Sequence, residues 1–293
     1  MSGILLLGAG GQLGREVVAL AEERAVALTA LDRAGLDIAD AAAIERVIGQ
    51  ARPDIVINAA AYTAVDRAES EPELATAINA TAPGLIAQAC ARHGAALLHV
   101  STDYVFDGTK PSAYVESDAI APLGVYGASK AAGEGAVREA LDMHVILRTS
   151  WVYGPHGGNF LKTMLRLAGE RDRLTVVADQ HGCPTATRDI AEALFTAADA
   201  FRAGTAVPGT YHFAGSGATS WHGFATEIVA RAARHTGRLP EVAAITTAEY
   251  PTPARRPANS ELSSDLFAAR FGYRAAPWRQ RTAEVVDRLL AAT

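Results

Sequence analysis

Cysteine is scarce. Only Cys90 and Cys183 occur among 293 residues, far apart and with no metal-like spacing. Both read as inert core or cleft thiols of a reducing compartment. No apolar run approaches the roughly 20 residues of a membrane-spanning helix. The opening MSGILLLGAGG has no basic segment ahead of its apolar run, so it reads as a strand entering a glycine turn and not as a signal peptide. Cytoplasmic residence is the expectation. Positive charge is not in excess either: the formal net charge of −5 argues against non-specific nucleic-acid binding. A polyanionic small ligand would need a local basic cluster. Internal repeats and low-complexity tracts are also missing.

What is present is an ordinary globular composition, 49% apolar and 20% charged, in a chain long enough to bury a sizeable core. Short apolar runs alternate with helical periodicity: Ile4–Leu7, a helix from Gln12 to Glu23, Val26–Leu31, a helix over 41–50, DIVINAA at 54–60, a helix over 74–92, Ala95–Val100, a helix over 129–141, and HVILRTS at 144–150. This rhythm predicts an α/β fold, a Rossmann-type doubly wound parallel sheet covered by helices on both faces. After Trp151 the rhythm loosens, with helices predicted over 160–170 and 188–200 and strands over 174–177 and 209–215. We expect a dinucleotide-binding domain over 1–150, its sheet completed by parts of 174–215, and a smaller substrate-binding α/β lobe mainly within 151–293.

Gly8-Ala9-Gly10-Gly11-Gln12-Leu13-Gly14 lies between the first strand and the first helix. Glycines there let the backbone turn tightly and approach a pyrophosphate, which sits on amides at the helix N-terminus. Asp32, ending the second strand, is placed to bind an adenosine ribose and favours NADH, whereas Arg33 beside it can pair with the 2′-phosphate of NADPH. Both cofactors stay open.

VYGASK places Tyr126 and Lys130 one helical turn apart on one face. A phenol ordinarily titrates near 10, too high for an efficient proton shuttle, and a nearby ammonium lowers it. Ser101 and Thr102 fall at the carboxyl end of the fourth strand, where open parallel sheets bind ligands, and a hydroxyl there can polarise a substrate carbonyl.

Together these residues resemble the extended short-chain dehydrogenase/reductase superfamily and, within it, the dTDP-4-dehydrorhamnose reductase family. The resemblance runs nearly end to end, through INAAAYTAVDRAESEP, HVSTDYVFDGT, PLGVYGASKAAGE, LRTSWVYG, NFLKTMLRLA, DQHGCPT and, most specifically, YPTPARRPANSEL. It implies NADPH or NADH as cofactor and a dTDP-linked 4-keto-6-deoxy sugar as substrate. It also implies Tyr126 as proton donor, Lys130 as its partner, and Thr102 rather than Ser101 as the tuning hydroxyl. Gly11, Gln12, Leu13, Asp32, Asp37, Ile38, Ala61, Tyr62 and Thr63 match cofactor-contacting positions; with Gly8 and Gly14 of the turn, Arg33, Tyr126 and Lys130 they make up the expected cofactor site. Val65, Thr102, Asp103, Tyr104 and Trp151 match the sugar side.

Related dehydratases carry Asp-Glu directly after the catalytic threonine, because elimination needs a second acid–base pair. Here the pair is Asp103-Tyr104, which argues for simple reduction. Arg255 and Arg256, in the proline-rich family segment, are candidates to clamp a diphosphate. Trp221 suits either the ligand or the core, and lone histidines such as His93 and His99 read as structural. Some family members bridge subunits with Mg²⁺. Glu16 matches one ligand position, but the second reads Arg188 beside Asp189 and the C-terminal DRLLAAT has no glutamate. We therefore expect no metal, and a monomer or metal-free homodimer. The alternatives are another nucleotide-sugar reductase or epimerase of the superfamily, or a non-catalytic regulatory subunit.

Overall fold

Residues 3–291 are described by the computed structural model; Met1-Ser2 of the opening stretch and the last two residues of DRLLAAT lie outside them. The uninterrupted apolar runs become strands buried on both faces: β1 (Ile4–Leu7), β3 (Ile55–Asn58), β4 (Ala96–Thr102) and β5 (His144–Thr149). β2 (Leu28–Leu31) is half-exposed, as an edge strand should be. The amphipathic stretches become α1 (Gln12–Glu23), α2 (Ala41–Ala51), α3 (Ala82–His93) and α4 (Val125–Ala140).

The central sheet is six-stranded and parallel throughout. Its sixth strand comes from the second half of the chain, after α5 (Phe160–Glu170), β6 (Arg173–Val177) and α6 (Thr187–Arg202); it is β7 (Gly209–His212), paired with β5. The strand order is β7-β5-β4-β3-β1-β2. The order reverses between β1 and β3, and the crevice beyond their carboxyl ends is where such sheets bind ligands.

One face of the sheet is covered by α1 and α6 and the other by α2, α3 and α4, each against its own apolar cluster. A third cluster lies in the second half, where α5 packs on α7 (Trp221–Thr236) and β6 pairs with β8 (Glu241–Ile245). The 174–177 run thus belongs to this two-stranded ribbon, and within 174–215 only β7 extends the main sheet. An apolar run of four residues fits either sheet, so periodicity could not choose. α8 (Asp265–Phe271) and α9 (Trp278–Leu290) close the chain.

The helix expected over 74–92 is interrupted. A short helix, Pro72–Thr76, passes through a π-helical turn at Ala77–Thr81 before α3 begins. The bulge carries Asn79, whose amide accepts from Tyr62 N–H at 2.8 Å and donates to the Tyr62 carbonyl at 3.0 Å and to Ser129 Oγ at 3.1 Å. It ties the loop after β3 to the helix that bears Tyr126.

Candidate active site

The glycine turn is built for close approach. Gly8 has φ +87, and a Cβ there would meet Ala60 N at 2.6 Å; a Cβ on Gly14 would lie 2.1 Å from the Gly8 carbonyl oxygen. A Cβ on Gly11 would meet only the Gly8 oxygen, at 3.3 Å, so this side of the turn is open. α1 follows with no side-chain cap and no acidic residue in its first turn, which leaves its N-terminal amides free for an anion. These features fit a dinucleotide pyrophosphate.

Two cavities run together across the carboxyl ends of the central strands, and a third adjoins them in the second half of the chain. The first, about 530 Å³, is lined by the turn (Gly8, Gly10, Gly11), by Asp32, Arg33, Asp37, Ile38, and by Ala61 and Tyr62. Asp32 Oδ1 accepts from the Ala34 and Gly35 amides, each at 3.0 Å, which fixes the carboxylate at the cavity's edge. The second, about 480 Å³, shares Gly11 and Ala61 with the first and collects Gln12, Leu13, Thr63, Val65, Thr102, Asp103, Tyr104, Tyr126, Lys130 and Trp151. The third, about 400 Å³, meets the second at Phe160 and Trp221 and reaches Gln180, Tyr250 and Arg256.

Tyr126 and Lys130 project from the first turns of α4 into the second cavity, and both are buried. Burial pushes the Tyr126 phenol up to about 12; the Thr102 hydroxyl pulls it down and the Asp103 charge adds to the rise. Burial draws the Lys130 ammonium down to about 8, against the Glu134 charge. Lys130 Nζ donates to the Val100 carbonyl at 2.7 Å and lies 3.4 Å from His99 Nε2. The Thr102 hydroxyl is the group beside Tyr126 that lowers the phenol, while Lys130 Nζ is anchored on the β4 backbone. Asp103 is buried, its carboxyl pushed up to about 6 by burial against the Ser260 and Thr102 hydroxyls, and its Oδ2 has no hydrogen-bond partner. Tyr104 packs edge-on against Tyr126 at 5.4 Å.

Trp151 adopts a left-handed backbone, φ +48, rare for a large side chain. Its indole lines the cleft. There it stacks on Trp221 at 3.6 Å and 10°, over Gly182, where a Cβ would strike the ring at 2.6 Å.

The family model described as RmlD substrate binding domain matches residues 1–291. A dTDP-4-dehydrorhamnose reductase of Burkholderia thailandensis is 46% identical over 98% of this chain and 99% of its own length, and one of Sinorhizobium fredii is 45% identical over 98% and 97%. This chain belongs to the dTDP-4-dehydrorhamnose reductase family. Among solved structures, the Clostridium acetobutylicum reductase superposes with a TM-score of 0.91 at 38% identity, covering 98% of this chain and 99% of that one. The Bacillus anthracis reductase in complex with NADP gives 0.89 at 36%, covering both chains completely. A UDP-glucose 4-epimerase of Thermus thermophilus, 23% identical over 99% of each chain with a TM-score of 0.81, shares the fold.

The structure gathers most of the residues expected from the sequence around these cavities. Every proposed catalytic and sugar-side residue lines the second cavity except the two arginines, and the structure separates those. Arg256 lines the third cavity and is held by Asp66 at 2.8 and 2.9 Å; Arg255 is exposed and lines none of the three. Of the two, only Arg256 therefore faces one of these cavities. Gly14 packs under the turn rather than facing a cavity. Ser101 lines the cleft, but its hydroxyl donates to Glu134 at 2.6 Å, whereas the Thr102 hydroxyl donates to Asp103 Oδ1 at a longer 3.2 Å and sits beside Tyr126.

Sequence reasoning missed Asn79, Asp66 and His99. Asn79 is announced only by a π-turn that periodicity smooths over. Asp66 is recognisable only once Arg256 is beside it, 190 residues away. His99 was set aside as a lone histidine. Glu16 is buried, 4.0 Å from an Arg288 guanidinium nitrogen. Among the described residues no group of three or more His, Cys, Asp or Glu is placed to hold a metal ion, and no helix is long and apolar enough to cross a membrane.

Proposed function

We propose that this chain reduces the C4 ketone of dTDP-4-dehydro-6-deoxy-L-mannose to dTDP-L-rhamnose, with NADPH or NADH as reductant. The observation that carries this reading is the convergence of Thr102, Tyr126 and Lys130 in one cavity that opens onto the glycine turn. When bound, the reduced nicotinamide supplies the hydride; Gly8, Gly11, Gln12 and Leu13 would receive its pyrophosphate, and Asp32 or Arg33 its adenosine ribose.

The chain's own residues manage the proton and the charge. Thr102 and Tyr126 present hydroxyls to the same space, where a carbonyl oxygen gains negative charge as the ketone is reduced. Tyr126, held protonated by burial, gives its proton to that oxygen. Lys130 stays charged below about pH 8 and offsets the phenolate that remains. Asp103 is the one carboxylate at the reacting end, beside Tyr104, so the cleft lacks the acid–base pair that elimination requires.

We assign the third cavity to the nucleoside diphosphate. Met164, Leu167 and Val176 give it apolar walls, while Arg256 and Gln180 supply polar contacts. In this division of labour residues 1–150 hold the cofactor and most of 151–293 the substrate. A cytoplasmic monomer, or a homodimer without bridging metal, completes the reading. The test follows nicotinamide absorbance with the dTDP-linked 4-keto-6-deoxy-L-sugar and, in parallel, its D-epimer. Oxidation of the cofactor with the L-sugar alone is expected. Turnover with neither sugar would redirect the assignment to another nucleotide sugar.

A further inference from the structure

His99 lies in β4, fully buried, between Asn58 of β3 and Lys130 of α4. The backbone decides how the Asn58 amide is oriented. Ala60 N–H donates to its Oδ1 at 3.1 Å, so Nδ2 is the atom 3.1 Å from His99 Nδ1. Nδ1 therefore accepts. A neutral imidazole with an accepting Nδ1 carries its proton on Nε2, and Nε2 faces Lys130 Nζ at 3.4 Å.

An ammonium has no lone pair to receive that N–H, whereas an amine has one. The other buried histidine beside a cation is arranged the opposite way. His212 Nδ1 lies 3.1 Å from the Tyr114 carbonyl and so donates, which leaves its Nε2 lone pair to meet an Arg148 nitrogen at 3.3 Å. One histidine is matched to its cation and the other is set against it.

We propose that His99, held by Asn58 as the Nε2–H tautomer, is a positioning residue that favours the uncharged amine of Lys130. The proposal deepens, and rests on, the reading of Lys130 as the partner of Tyr126. After Tyr126 has given up its proton, Lys130 supplies one to restore the phenol. The N–H electron pair stays on Nζ, and that lone pair accepts the His99 Nε2–H bond. Lys130 later regains a proton from solvent. The other groups around the pair are the Val100 carbonyl, which holds the ammonium, Glu134, whose charge favours it but is shared with Arg148, Tyr126 on the same helix face, and His144, whose charge disfavours a second proton on His99.

Lys110, Lys130 and Lys162 are the only lysines in the chain, which makes them resolvable by carbon-13 labelling. The experiment records imidazole nitrogen-15 shifts and lysine Cε titrations on the cofactor-free protein, wild type and His99→Gln. The expected wild-type spectrum shows His99 as Nε2–H at pH 7 and at pH 10, with Lys130 titrating below the ordinary lysine value. In His99→Gln the side-chain carbonyl can accept from Nζ, and the Lys130 midpoint should rise by about one pH unit, with the alkaline limb of kcat moving alongside. An Nδ1–H tautomer, or one that changes as Lys130 titrates, overturns the proposal; so does an unmoved Lys130 midpoint in a folded variant. The tautomer is read on the wild type and needs no variant. Because these spectra require no turnover, their failure is distinct from failure of the reductase reading.

Discussion

Glu134 lies one turn beyond Lys130 on α4 and is fully buried, as is nearly all of Arg148 on β5. The pair is bidentate, with Arg148 Nε on Oε1 at 2.9 Å and Nη2 on Oε2 at 2.7 Å, and Ser101 Oγ adds a third bond at 2.6 Å. It fastens the helix of the catalytic pair to the strands beneath it. Replacing Arg148 with Met leaves the buried Glu134 carboxylate with only the more exposed Arg138, 3.3 Å away, as a cation, and losing one partner of a buried pair costs about 3–5 kcal/mol. At about 2–3 °C per kcal/mol for a chain of this size, the thermal midpoint should fall by roughly 6–15 °C. The double variant Arg148→Met, Glu134→Leu should recover much of the loss, since no buried charge is left unpaired and Arg138, which also met Glu134, is exposed to solvent. The acid side of the stability profile supplies the sign. Burial raises the Glu134 carboxyl, but Arg148 outweighs it and holds the group below the usual carboxylate range. Its contribution is therefore present above the ordinary carboxylate pKa and is lost as pH falls through the lowered value. Arg148→Met should flatten this part of the profile. A midpoint within about 2 °C of wild type for the single variant would refute the reasoning.

Thr102→Val removes the hydroxyl that tunes Tyr126 and should lower kcat by about 10²-fold with little change in KM, read from steady-state rates. Arg256→Met should raise KM for the nucleotide sugar by roughly 10–100-fold through loss of a charge-assisted contact, leaving cofactor affinity, measured by fluorescence titration, at the wild-type value. The rate of reduction should decline above about pH 8 as Lys130 loses its charge. Since the folded chain binds fewer protons than the unfolded one between there and the ordinary lysine value, stability should rise with pH across that window as far as this group is concerned. A kcat flat to pH 10 would contradict the assigned role.

The central sheet was legible because β1, β3, β4 and β5 are apolar runs of the right length, and the glycine turn because Gly8 and Gly14 must be glycine for steric reasons that leave a sequence trace. Tyr126 and Lys130 share a helix face, so spacing alone joins them. What was not legible lies at longer range. Asp66 meets Arg256, and Asn58 orients His99, only through the fold, and no local period announces either contact. Arg255 and Arg256 look equivalent in sequence and differ because a loop turns one outward. Trp221 was ambiguous between ligand and core, and its stack on Trp151 puts it at the junction of two cavities, where both descriptions hold.

The most direct test of the account is Tyr126→Phe, assayed with the dTDP-linked 4-keto-6-deoxy-L-sugar while cofactor binding is measured on the same preparation. The account predicts that reduction is lost by at least about 10²-fold, the share a positioned proton donor supplies, while cofactor affinity is kept. Turnover near the wild-type rate, with the fold and cofactor binding intact, would contradict it, because the account makes Tyr126 the donor of the proton that the reduced carbonyl oxygen receives.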